Sequence, residues 1–149
     1  MKPILYHSDE TDFGHNGIGI LVDTVEAFVT EERNGMFELQ FVYPVTGLHF
    51  EHIQEYCIVK AKPNDTMRDQ LFRIYKSTKP INGLVTFYAQ HISYDLRYNK
   101  LPKIQVSGPG QVALNAILTN AVNPHPFTGY SDVTTNSSTE IGPANVRQA

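Results

Sequence analysis

Asn34-Gly35, set between two β-rich runs, constrains this chain more than any other local feature. An Asn-Gly pair supplies the positive backbone angles that a tight two-residue hairpin turn requires, and few other pairs tolerate them at both positions. On the arm after the turn, Phe37, Leu39, Phe41 and Tyr43 alternate with Glu38, Gln40 and Val42. A strand follows, with one apolar face and one mostly polar face. The preceding arm is less regular. There Val25, Ala27 and Val29 oppose Glu26, Phe28 and Thr30, which leaves Phe28 on the nominally outer face as a candidate for a second buried surface. Pro44 and Gly47 end the hairpin.

Further strand-like runs follow at short spacing. EYCIVKAK, Glu55 to Lys62, is bounded by Pro63-Asn64-Asp65, and Gln70 to Tyr75 pairs with Leu84 to Ala89 across KSTKPING. Pro80 and Asn82-Gly83 in that linker read as a turn of several residues. Repeated short strands argue for a mainly β fold with a minor helical part, a small antiparallel barrel or sandwich. Helix enters after SGPG at Ser107 to Gly110. From Gln111 to Val122, Val112, Ala116 and Leu118 fall at helical spacing, and Pro124 and Pro126 stop the run. The tail from Gly129 is rich in Ser, Thr and Asn and reads as a loop, an edge strand or a disordered end.

With 149 residues, 41% of them apolar, the chain is long enough for one domain with a core and too short for two large ones. A formal charge of −3 gives no basic footprint for a phosphate backbone, so sequence-specific nucleic-acid binding is not expected. The single cysteine, Cys57, excludes an intrachain disulfide and a Cys-rich zinc site. MKPILYHSDETDF runs from one lysine into acidic residues, unlike a secretory signal. No apolar stretch approaches the roughly 20 residues that span a bilayer, and no membrane role is expected.

Four groupings invite a chemical reading. His91 and Asp95, with Tyr94 beside them, have the spacing of a base held by a carboxylate, but no Ser or Cys nucleophile is tied to them by a motif. Side chains of this kind at a strand end serve more often to hydrogen-bond the following segment into place. His49 and His52, near Glu51 and Glu55, lack the HExxH arrangement and a third ligand, and read as a surface loop. Cys57 sits in a β-rich run where a thiol acts as a small apolar group. GHNGIG, Gly14 to Gly19, has no phosphate-loop lysine and reads as a turn into a strand. The eight Tyr and eight Phe mostly alternate within strands, which favours core or subunit interface over a carbohydrate platform. No catalytic residue, cofactor or metal is expected.

Several motifs occur in the order in which one family carries them: NGIGIL at Asn16 to Leu21, ERNG at Glu32 to Gly35, Tyr43-Pro44 with Gly47, QLFRIY with Gln70, Phe72 and Arg73, and FYAQHISYDL with His91, Tyr94 and Asp95. In this the chain resembles, over nearly its whole length, the N-terminal hub region of phage tail proteins of the prophage endopeptidase tail or tail-associated lysin family. The resemblance implies a β-barrel-like hub domain over 1–106, followed over 107–149 by the helical or loop start of a further domain cut off inside a larger protein. It also implies a structural component of the tail tip or baseplate hub, made in the host cytoplasm and carried in the virion. The implied partners are two further copies in a trimer, the distal tail protein and other tail-tip proteins. Enzymatic activity, in this family, belongs to C-terminal domains. The competing functions are a cell-wall endopeptidase and a glycan-binding module using exposed Tyr.

Overall fold

The computed structural model describes residues 1–33 and 35–147. These form two compact units, Met1–Ile92 and a second that begins at Ser93. The resemblance implies a boundary after residue 106; in the structure Ile104–Gly108 pairs with a strand of the tail within the second unit.

Among the described residues of the first unit, seven strands make one antiparallel sheet: β1 (Ile4–Tyr6), β2 (Gly19–Ile20), β3 (Glu26–Glu31), β4 (Phe37–Pro44), β5 (Ile58–Ala61), β6 (Gln70–Ser77) and β7 (Leu84–His91). Their order across the sheet is β2-β1-β5-β6-β7-β4-β3. The sheet curls into a half-barrel. Ala27 and Val29 on the edge strand β3 line one groove of about 610 Å³ with Ile4 of β1 and Ala61 of β5, near the opposite edge. The register follows the alternation read in the sequence, with Leu39 opposite Ala89 and Phe41 opposite Phe87. Leu39, Phe41, Tyr43, Phe72 and Ile74 are fully buried on the concave side. Burial of such side chains, at about 1.5–3 kcal/mol each, is the main force holding the curled sheet together.

Asn34 lies outside the described residues, so a two-residue turn at Asn34-Gly35 is not among the observed features. The β3–β4 hairpin itself is present, and its nearest flanking bonds run from Glu32 N–H to the Met36 carbonyl and from Gly35 N–H to the Glu32 carbonyl. A tight turn lies in the second hairpin. Ile81 and Leu84 exchange both backbone hydrogen bonds, and Asn82 and Gly83 between them have φ of 52° and 75°. This is the geometry for which Asn-Gly is suited.

The second unit carries β8 (Lys100–Leu101), β9 (Ile104–Gly108), α1 (Gly110–Thr119), β10 (Ser137–Ile141) and β11 (Ala144–Asn145). β9 pairs with β10 and β8 with β11, both antiparallel. Its core is Leu101, Ile117 and Val146, with Leu96, Ile104 and Leu118 packed against them. The helix turns Ile117 inward and leaves Val112 exposed. It stops at Thr119, short of Val122, where Asn120 caps it and donates its side-chain amide to the Ala116 carbonyl. A 3-10 helix, Ile92–Tyr98, runs through the division between the units. Among the described residues no helix is long and apolar enough to cross a membrane.

Candidate functional site

The Tyr43, Pro44 and Gly47 motif folds into a corner. Tyr43 ends the apolar face of β4, and its hydroxyl donates to the Leu48 carbonyl at 2.7 Å. Burial pushes the Tyr43 phenol above its ordinary pKa, as expected for a group that loses water and keeps its proton in a hydrogen bond. Gly47 N–H closes the turn on the Pro44 carbonyl at 2.9 Å. Glycine is required there, because a Cβ would stand 2.5 Å from Cε1 of Tyr43. Asp23 completes the corner by accepting the Leu48 N–H at 2.8 Å. The motif shapes the end of the barrel.

Gln70, Phe72 and His91 come together where β6 and β7 pair. The His91 ring stacks on Phe37 at 4.5 Å and meets Phe72 edge-on at 5.7 Å, while its Nε2 lies 3.1 Å from Gln70 Oε1. An imidazole held between two aromatic rings and an amide fixes the register of three strands. Arg73, on the outer face, donates Nη1–H to the carbonyls of Ser8 at 3.0 Å and Tyr56 at 2.8 Å. It ties two loops to β6.

His91 belongs to the first unit, and Tyr94 and Asp95 to the second. The three therefore do not form a single cluster within either unit. Tyr94 is buried between two guanidinium groups, Arg147 at 3.5 Å and Arg97 at 4.3 Å from its ring centre. Arg147 also donates to Ser93 Oγ at 2.9 Å. Asp95 lies one residue on, in the 3-10 helix.

The remaining candidates are explained by packing. His49 and His52 flank a short 3-10 turn with ring centres 6.3 Å apart, and Glu51 sits 3.4 Å from Nε2 of His52. Cys57 is buried, with Sγ 3.6 Å from the His52 carbonyl. Among the described residues no three of His, Cys, Asp and Glu gather as metal ligands. Gly17 leads into β2 with φ of 55°, as the turn reading of GHNGIG requires.

Two arrangements went unread in the sequence. Tyr6 faces away from the concave core yet is fully buried, because the segment after it folds back over its ring. Phe13 packs edge-on at 5.1 Å, the Tyr6 hydroxyl donates to the His15 carbonyl, and Lys60 donates to the Phe13 carbonyl at 2.6 Å. The second is Tyr75. A β-bulge between Ile74 and Lys76 breaks the β6–β7 register there. Tyr75 donates its hydroxyl to Glu38 Oε2 at 2.6 Å. Its pKa is pushed up to about 12, first by partial burial of the ring and then by the Glu38 carboxylate. No pattern in QLFRIYKS signals an extra residue in the ladder.

The sequence matches no protein-family model and no curated protein. The fold is similar to the crystal structure of prophage tail protein gp18 from Listeria monocytogenes, with a TM-score of 0.63 at 17% identity. The match takes in 97% of this chain and 42% of that protein, so the chain spans less than half the length of the protein it resembles.

Proposed function

We propose that this chain is a structural component of a phage or prophage tail, located at the tail tip as a hub-like subunit that closes the tube and docks on the distal tail protein. The observation that carries the reading is the fold similarity to a prophage tail protein through nearly the whole of the chain. The order of the motifs around Tyr43-Pro44, Gln70 to Arg73 and His91 supports it independently. So does the use of those residues. Tyr43 and Pro44 shape a corner, and Gln70, Phe72 and His91 lock strands together.

On this reading the chain is not itself a catalyst, takes no cofactor, assembles as a trimer and travels in the virion. His91 is held by Phe37 and Gln70, which favours a scaffolding role over that of a general base. The test is assembly in solution. The protein, alone and mixed with the distal tail protein of the same phage, is analysed by size-exclusion chromatography with light scattering. Three copies bound to a distal-tail-protein ring support the reading. A chain that stays monomeric and leaves that ring unbound, or that releases fragments from cell walls, refutes it.

A further inference from the structure

Asn-Gly occurs three times in this chain, at 16–17, 34–35 and 82–83. At such a pair the backbone can attack its own side chain, because glycine has no Cβ to keep its nitrogen from the asparagine amide. The attack needs a nitrogen free of a hydrogen bond and a peptide able to rotate. The three pairs differ in both respects. Gly17 N–H donates to His15 Nδ1 at 2.9 Å, and a Cβ there would stand 2.3 Å from the Leu5 carbonyl oxygen, so this peptide is tied and crowded. Gly35 N–H donates to the Glu32 carbonyl at 3.0 Å. Asn82 and Gly83 are exposed at the tip of the β6–β7 hairpin, where a Cβ on Gly83 would meet nothing within 4 Å. Among the described residues, neither the Gly83 N–H nor the Asn82 side chain has a hydrogen-bond partner.

We propose that Asn82 is a site of spontaneous deamidation and isoaspartate formation, with water as the co-reactant. The Gly83 nitrogen gives its proton to solvent base and attacks Cγ of Asn82. The new N–Cγ bond closes a cyclic imide, and the Cγ–Nδ2 bond breaks as Nδ2 takes a proton from water and leaves as ammonia. Water then adds to one of the two imide carbonyls. Opening at Cγ yields aspartate, and opening at the backbone carbonyl routes the chain through Cγ and yields isoaspartate. Nothing is oxidised or reduced. Either product puts a negative charge on a turn, Ile81 to Leu84, whose residues carry none. Isoaspartate also adds an atom to the backbone path, for which a two-residue turn has no room. The bonds between Ile81 and Leu84 would open. So would the bond from Val45 N–H to the Gly83 carbonyl at 2.9 Å, which ties the hairpin tip to the corner at Tyr43, Pro44 and Gly47. The site is a slow, one-way switch that loosens this end of the half-barrel as the protein ages, whatever the chain does in a tail.

The test is ageing of the folded protein in mildly alkaline buffer, with aliquots digested by trypsin and read by mass spectrometry. Trypsin does not cut before proline, so the three pairs fall in separate peptides, 1–33, 34–60 and 77–97, each with a single asparagine. Amide-to-acid conversion at Asn82 should run at least about tenfold faster than at Asn16, which must wait for local opening, and faster than at Asn34. In concentrated urea the three should convert at similar rates. Gly83→Ala should slow conversion at Asn82 and leave Asn16 unchanged. The isoaspartate form, separated by ion exchange, should exchange its Val45 amide hydrogen faster than the parent. Asn82→Asp, which carries the charge without the extra backbone atom, should keep that amide protected. The proposal is overturned by an Asn82 that stays intact as the folded protein ages, by conversion at Asn16 that keeps pace with it, or by an isoaspartate form that protects Val45 as the parent does.

Discussion

Gly17 and Gly83 offer the same substitution in two surroundings, and the difference between them tests the reading of both. Each has a positive φ, 55° at Gly17 and 75° at Gly83. An alanine at either position meets the left-handed penalty of about 1–2 kcal/mol. At Gly83 the penalty ends there, because a Cβ would find nothing within 4 Å. At Gly17 the Cβ would stand 2.3 Å from the Leu5 carbonyl oxygen and 2.6 Å from Cδ1 of Tyr6. Neither can retreat easily. The Leu5 oxygen accepts the Ile18 N–H at 2.8 Å, and Tyr6 is enclosed by Phe13, His15 and Lys60. Forcing that contact adds an overpacking cost of about 1–3 kcal/mol, for a total of about 2–5 kcal/mol. In urea, with a slope of about 2 kcal/mol/M, Gly83→Ala should lower the midpoint by about 0.5–1 M and Gly17→Ala by about 1–2.5 M. Far-UV circular dichroism and tyrosine fluorescence should agree on the midpoints. Gly83→Asn should be milder than Gly83→Ala, since Asn tolerates the left-handed region. Equal losses at the two glycines, or a larger loss at Gly83, would refute the packing assigned to the segment over Tyr6.

Two other perturbations have signs that the geometry dictates. Tyr43→Phe deletes the hydroxyl that donates to the Leu48 carbonyl and should cost about 1 kcal/mol in urea unfolding, with the fold unchanged by circular dichroism. In a spectrophotometric pH titration Tyr75 should ionise late, near the value of about 12, and Glu38→Gln should bring that titration down part of the way, because partial burial of the ring remains. A phenol whose folded pKa lies above its unfolded value of about 10 stabilises the fold below that value and loses the contribution as pH rises towards 12. Stability measured across this window should therefore fall more steeply in the parent than in Glu38→Gln.

The strands that could be read from sequence were those whose pattern is a direct image of their environment. Leu39, Phe41 and Tyr43 alternate with polar residues because β4 has one face in the core and one towards solvent. The strands β1 and β2 left no such signal. They are two or three residues long, and both Leu5 and Tyr6 are buried, since the fold-back segment covers the outer side of β1 as the core covers the inner. β10 was hidden for the opposite reason: Ser137 to Glu140 are all exposed, so nothing alternates, and an edge strand was one of three readings left open for the tail. Asn82-Gly83 was read as part of a longer turn because Pro80 and Gly83 both punctuate KSTKPING, and only the Ile81–Leu84 bonds show which pair closes the hairpin. Among the candidate residues, the places of Tyr43 on an apolar strand face and of His91 at a strand end were approachable from position alone, and the contacts they make there were not. The contact of Tyr75 with Glu38 was not either, since it depends on a bulge and on β4 and β6 flanking β7.

The central claim, a place at the tail tip, is tested most directly by electron microscopy of intact tails from a phage in which this protein carries a gold-binding tag. The account predicts label at the distal end of the tube, with averaged density showing a three-fold ring at that level. Label along the length of the tube, label at the capsid end, or particles that carry none of the protein would contradict it.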